Sequence, residues 1–197
     1  MESTERMDYT WRIPYDDACA IERLELALDK VFASPTIHNI LIVCVGTDRS
    51  TGDAFGPIVG SQLSGATNLP FVRVLGTLEN PVHAVNLSST LNEVRTNYAV
   101  PPFILAIDAC LGKFDHVGHI TLEPGPLRPG AGVKKNLPEF GDVTLTGVVN
   151  VSGFMEYFVL QNTRLGIVMK MSEVVVQAIR NSLWKLQVRH NMRTLPL

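Results

Sequence analysis

Two aspartates sit where a catalytic pair would be expected. Asp53 lies in the loop Gly46-Thr-Asp-Arg-Ser-Thr-Gly-Asp53-Ala-Phe-Gly56, directly after the apolar run Ile40 to Val45, and Asp108 ends a second apolar run, Phe103 to Asp108 (FILAID). In open α/β sheets ligands bind outside the carboxyl ends of the strands, so both side chains are expected at one edge. Two carboxyls meeting in a crevice can share a proton, because repulsion and desolvation favour one neutral and one charged member. Such a pair can activate water and protonate a leaving group. The plainer alternative is that Asp53 caps a helix beginning at Ala54 and that Asp108 ties down its own turn.

Other reactive side chains offer less. The Gly46 to Gly56 loop is neither the dinucleotide fingerprint nor the phosphate loop, so no mononucleotide site is expected, although N–H groups at the helix start could hold an anion. Cys110 could act as a nucleophile with His83, His116 or His119 as its base, but inert buried cysteines are commoner. His116 and His119 have an i, i+3 spacing that makes a metal pair only on a helix, and this segment leads into a strand, so a solvated turn is expected. Arg128, Lys134 and Lys135 make one loop basic, which suits solvent as well as an acidic partner.

The elements that must position the aspartates follow from hydrophobic spacing. Ile21, Leu24, Leu28 and Val31 predict a helix within about 16–33. Ile40 to Val45 is continuous and β-branched, as in a strand covered on both sides, and is expected to be the central strand. A helix follows from Ala54 through Ile58 and Leu63 to Gly65, then a strand at Phe71 to Leu75. Pro81 can open a helix running to Tyr98, and Pro101 and Pro102 stop it. Strands are expected at Phe103 to Asp108, His119 to Glu123 and Val143 to Val148. Glu123 to Gly141 holds four prolines and four glycines, which predicts an irregular loop. Phe154 to Leu160 suggests a short helix, Leu165 to Met169 a strand, and Ser172 can cap a last helix buried through Val175, Ile179, Leu183 and Leu186. This alternation predicts a single three-layer α/β unit, a doubly wound, mostly parallel sheet with helices on both faces. Residues 1–35 form an N-terminal helical segment packed on it, and residues 36–197 the main α/β domain.

Composition narrows the function classes. With 18% charged residues and a formal net charge of -2, the chain has neither a disordered nor a nucleic-acid-binding balance. MESTERMDYT lacks the basic and apolar segments of a secretory signal, and Ile40 to Val45 falls far short of the roughly 20 residues that cross a bilayer. No membrane association is expected. Cys19, Cys44 and Cys110 are scattered without zinc or disulfide spacing, so reduced thiols in a cytoplasm are the simplest expectation.

Longer segments carry a resemblance. VGTDRSTGDAFGPIVG (Val45 to Gly60), GTLENPVHAVNL (Gly76 to Leu87), ILAIDACLG (Ile104 to Gly112), PLRPGAGVKKNLPEFGD (Pro126 to Asp142) and TGVVNVSGFMEYFVLQNTRL (Thr146 to Leu165) closely resemble the YyaC family of sporulation proteins. That family is similar to the germination protease, which degrades small acid-soluble spore proteins, and more distantly to the hydrogenase maturation endopeptidases. The resemblance implies catalytic roles for Asp53, before Ala-Phe-Gly-Pro, and Asp108, in Ala-Ile-Asp-Ala. Thr47, Asp48 and Asn150 are the candidate substrate-binding residues, with a peptide or protein as substrate, small acid-soluble spore proteins among them. Pro129-Gly-Ala-Gly-Val133 is similar to a loop of the germination protease. The maturation endopeptidases add a histidine before Gly-Phe-x-Glu to hold nickel. Here Asn150 stands before Gly153-Phe-Met-Glu156, and an amide is a poor nickel or zinc ligand. The implied chemistry is a metal-free, cofactor-free aspartate pair in the cytoplasm of a sporulating cell or spore. By analogy with the germination protease, a homo-oligomer is compatible with the sequence. A non-catalytic binding or regulatory protein of the same fold is the alternative.

Overall fold

The structure is a computed structural model, and it describes residues 10–34, 37–65, 69–129 and 137–193. Its strands are β1 (Trp11–Pro14), β2 (Ile40–Cys44), β3 (Val72–Leu75), β4 (Phe103–Gly112), β5 (His119–Pro124) and β6 (Val143–Val151). The helices are α1 (Ala20–Val31), α2 (Phe55–Ser64), α3 (Leu87–Asn97), α4 (Glu156–Gln161) and α5 (Leu165–Arg193). One sheet runs in the order β1-β5-β6-β4-β2-β3. The β3, β2, β4 and β6 strands are parallel, and β5 and β1 add an antiparallel edge. The expected α/β class with a mostly parallel sheet is therefore what the chain adopts.

Helices cover both faces because β2 and β4 are apolar on both sides. On one face Leu24 and Leu28 of α1, Phe55 and Leu63 of α2, and Val175, Ile179 and Leu183 of α5 bury Ile42, Leu105 and Ile107. On the other, Leu87, Leu91 and Val94 of α3 cover Leu41, Val43 and Ala106, helped by Leu127 and Phe140. Each such side chain contributes about 1.5–3 kcal/mol when taken out of water. A polar clasp joins α1 to α5: Ser182 and Lys185 donate to Asp29 at 2.6 and 2.9 Å, and Asn181 donates to Glu25 at 2.8 Å.

Several elements differ from the sequence expectations. β2 lies between β4 and the edge strand β3, so it is interior but not central. α3 begins at Leu87, not Pro81. Val82 instead bridges to Val45, and the Asn86 side chain organises the turn, accepting from the His83 N–H at 2.8 Å and donating to the Pro81 carbonyl at 2.9 Å. Leu165 to Met169 is the start of α5 and not a strand, and Ser172 lies inside that helix. Its buried hydroxyl donates to the Val168 carbonyl at 2.8 Å, the i−4 bond by which serine satisfies itself within a helix. The N-terminal segment supplies β1 as well as α1. Of the proline- and glycine-rich loop, 130–136 lie outside the described residues, as do Lys134, Lys135 and most of Pro129 to Val133. Arg128 pairs with Glu139 at 3.0 Å.

Candidate active site

The carboxyl end of β2 carries Asp53 to the sheet rim. The Val45 N–H donates to the Ile107 carbonyl of β4 at 2.7 Å, and the Gly46 N–H to the Val82 carbonyl at 2.8 Å. Gly46 then turns with φ +147°, and a Cβ built there would lie 2.0 Å from the Asp53 carbonyl oxygen. Only glycine tolerates both the angle and the approach. The loop folds back on itself, the Thr47 N–H donating to the Asp53 carbonyl at 3.1 Å, and a 3-10 turn, Gly52–Ala54, leads into α2. Asp53 lies within that turn and makes no side-chain cap bond at the start of α2. The capping alternative is not how it is used.

Asp108 does not end its strand, because β4 continues to Gly112. It pairs in register with Thr146 of β6, directly after the Ile107 carbonyl that receives Val45. Its Oδ1 accepts the Ala109 N–H at 2.8 Å. Burial pushes the Asp108 carboxyl up to about 8; the Ala109 N–H opposes this, and the negative charge of Asp53 adds to it. Burial also raises Asp53, and the Ser50 hydroxyl opposes that rise. The two aspartates thus sense one another across the rim. At neutral pH a carboxyl held at about 8 is mostly protonated and can give up a proton.

Asn150 reaches the same corner from β6. Its Nδ2 donates to the Thr163 hydroxyl at 3.2 Å and to the Val159 carbonyl at 3.3 Å, and its Oδ1 accepts the Val151 N–H at 2.9 Å. Thr163 in turn packs on Gly52, where a built Cβ would meet its Oγ1 at 3.0 Å. Asn150 therefore stands beside the Asp53 turn with its amide engaged in holding α4. Of the other proposed substrate contacts, Thr47 is half-buried and Asp48 is exposed on the same loop. The donor set does not fit nickel: the third position is an amide already bonded at both ends, and no cluster of three His, Cys, Asp or Glu capable of holding a metal occurs among the described residues.

The remaining sequence candidates separate. Burial pushes the Cys110 thiol up to about 11, with Thr146 opposing and the charges of Asp108 and Glu123 adding to it, which is the reverse of what a nucleophile needs. The His116 and His119 rings meet edge to face at 5.5 Å, His116 in a short 3-10 turn that precedes β5. His83 lines a groove of about 560 Å³ beside β3, together with Arg73, Glu79, Asn86 and Glu93. The Gly46 N–H to Val82 carbonyl bond links the Asp53 loop to that groove. Two features were not singled out from sequence. One is buried Ser50. The other is the exposed aromatics at and just before α4, which packs on the Asp53 turn: Phe154 (89%), Tyr157 and Phe158. Apolar residues this close together read as core by spacing, and only packing shows that they face outward.

This fold and site can be set beside known proteins. The structure is similar to a [NiFe] hydrogenase maturation protease, HycI from Thermococcus kodakarensis KOD1, with a TM-score of 0.52 and 16% identity over 80% of this chain and 98% of that one. A likeness at that identity shows a shared fold. In sequence the chain is 47% identical over 167 residues to the "Uncharacterized protein YyaC" of Bacillus subtilis (strain 168), covering 85% of this chain and 80% of that protein. The model of the family described as "Protein of unknown function (DUF1256)" matches residues 12–178. With most of its length matched in both ways, the chain belongs to the DUF1256 family.

Proposed function

We propose that this protein is a sporulation-associated peptidase in which Asp53 and Asp108 activate water against a peptide carbonyl without a metal. The observation that carries this reading is the Asp108 carboxyl, held at about 8 by burial beside a second raised carboxyl, Asp53. In the proposed cycle one carboxylate takes a proton from water as the water oxygen bonds to the carbonyl carbon. The other carboxyl gives its proton to the carbonyl oxygen. On collapse the C–N bond breaks, the leaving nitrogen takes the proton drawn from water, and the second carboxyl recovers its own as the C=O re-forms. Water is consumed and both aspartates return to their starting states.

Thr47 and Asp48, on the loop that carries Asp53, are proposed to contact the polypeptide. Asn150 acts by holding α4 and Thr163 against the Asp53 turn. The sporulation setting, a cytoplasmic location in the sporulating cell or spore, small acid-soluble spore proteins as substrates and self-association are supported by the resemblance to the YyaC sporulation family and the germination protease.

The test is to incubate small acid-soluble spore proteins with wild type, Asp53→Asn and Asp108→Asn and to follow cleavage by mass spectrometry. Each variant is expected to lose about 10²-fold or more. Equal cleavage by all three would end the proposal. The exposed Phe154, Tyr157 and Phe158 beside the rim favour a second reading, a protein of the same fold that binds peptides without cutting them. In that case the substrate is retained intact by wild type and by both variants.

A further inference from the structure

The outer edge of β3 borders a groove that has no role in the cycle above. β3 ends the sheet, and no strand lies on its outer side among the described residues. In a parallel pair every second residue directs its main-chain N–H and C=O to the same neighbour. The register Ile40↔Val72 and Ile42↔Val74, with the Ile40 N–H donating to the Phe71 carbonyl at 2.8 Å, turns Arg73 and Leu75 toward β2 in this way. The Val74 N–H and C=O therefore point outward. The groove, about 560 Å³, is lined by Arg73 and Leu75 of β3, by Glu93 of α3 and by residues of the 76–83 segment that joins these elements. That segment is pinned in place. A Cβ built at Gly76 would lie 1.8 Å from the Cys44 carbonyl oxygen, the Leu78 N–H donates to the Ser61 hydroxyl of α2 at 2.8 Å, and Asn86 bonds both Pro81 and His83.

Resting on the peptidase reading above, we infer that this groove takes an extended segment of the polypeptide substrate, which adds to β3 as a further strand and sets a lysine or arginine side chain against Glu79 and Glu93. In strand addition the main chain supplies affinity and alternate side chains supply selectivity. Charge sets the preference here. Arg73, Glu79 and Glu93 are exposed, and none of the three forms an ion pair among the described residues. Glu79 accepts only a long bond from the Ser61 hydroxyl, at 3.4 Å. Two carboxylates outweigh one guanidinium, so the groove is negative at neutral pH. The path to the aspartates is continuous. β3 runs parallel to β2, so the carboxyl ends of both face one rim, and the Gly46 N–H to Val82 carbonyl bond ties the groove to the loop of Thr47, Asp48 and Asp53. A strand added to β3 lies three strand spacings from β4, about 14 Å, which about four extended residues span. The scissile bond is thus placed about four residues from the paired segment.

The experiment uses the full chain carrying Asp53→Asn and Asp108→Asn, which leaves the groove intact and removes cleavage on the reading above. A combinatorial octapeptide library is selected on this protein, and the recovered consensus is synthesised with a fluorescent label and titrated by anisotropy. The consensus is expected to carry lysine or arginine. It should bind about tenfold or more weakly when Glu79→Lys and Glu93→Lys are added, and binding should be lost when alternate amides of the peptide are N-methylated. In nitrogen-15 NMR spectra the Val74 amide should shift on binding. Both glutamates are exposed, so their reversal leaves the core untouched. A library that yields no peptide preferring the unreversed groove, affinity unchanged by the reversal, or an unmoved Val74 amide overturns the inference. So does sedimentation showing that a second copy of this chain covers β3 and is displaced by no peptide. The two proposals fail separately. Peptide binding as stated with no cleavage by the wild type keeps the groove and loses the peptidase reading, whereas cleavage that needs Asp53 and Asp108 but is indifferent to the charge reversal removes the groove alone.

Discussion

Asp53, in the turn after β2, stands close enough to Asp108 on β4 that its negative charge hinders ionisation of the Asp108 carboxyl, which burial already holds at about 8. Main-chain bonds bring the two segments together. The Val45 N–H to Ile107 carbonyl bond aligns the two strands, and Gly46 lets the Asp53 backbone close over the end of β2.

Stability is expected to depend on pH through this carboxyl. Asp108 is raised above its ordinary value of 3.8 in the folded protein, so between about pH 4 and pH 8 the native state binds more protons than the unfolded chain and stability falls as pH rises. Asp108→Asn keeps the acceptor for the Ala109 N–H and removes the charge. Its unfolding free energy should match the wild type near pH 4 and exceed it at pH 8, by an amount on the order of a few kcal/mol, with a correspondingly higher melting temperature. Parallel melting curves at every pH would refute the assignment.

Gly46 should not tolerate a side chain. Its φ of +147° and the 2.0 Å approach of a built Cβ to the Asp53 carbonyl mean that Gly46→Ala must displace the turn. A loss of about 2 kcal/mol or more is expected in urea denaturation. The variant should also bring the Asp108 midpoint down by moving Asp53 away. An alanine variant as stable as the wild type would mean that the turn is looser than described.

Asn150 is expected to act on α4 and not on a metal. Removing its bonds to Val159 and Thr163 in Asn150→Ala should cost about 1–2 kcal/mol. Amide hydrogen exchange should speed up over α4 while β4 is unaffected. Unchanged exchange over α4 would separate Asn150 from the Asp53 corner.

The thiols provide a control on mechanism. Cys110 is pushed up to about 11 and Cys44 is raised further by complete burial, whereas Cys19 is exposed. Iodoacetamide at pH 8 should label Cys19 well before the other two, and Cys110→Ser should cleave as the wild type does. Loss of cleavage in Cys110→Ser would return the thiol to the mechanism.

Much of the architecture could be read from local pattern. The runs at Ile40 to Val45 and Phe103 to Asp108 are apolar at every position, and such runs form strands buried on both faces, which requires helices on both sides of the sheet. Spacing also located α1 and α2. It failed where tertiary bonds compete with periodicity: Val82 continues a helical pattern, yet it bridges to Val45, and Ser172 resembles a cap but satisfies itself inside α5. Leu165 to Met169 is short and apolar in a way that suits either a strand or a buried helix, and only the continuous packing of α5 on α1 and α2 distinguishes them.

The two aspartates were legible as residues, because each follows an apolar run that predicts a buried strand, although β4 runs on past Asp108 to Gly112. That the charge of Asp53 bears on Asp108 was not legible, since desolvation and charge coupling depend on distances between strands far apart in sequence. The same limit hid the outward turn of Phe154 and Tyr157. Sequence alone determined which side chains were available and in which kind of layer they would sit; the tertiary structure decided which of them meet, because only the closed sheet brings β2, β4 and β6 to one rim.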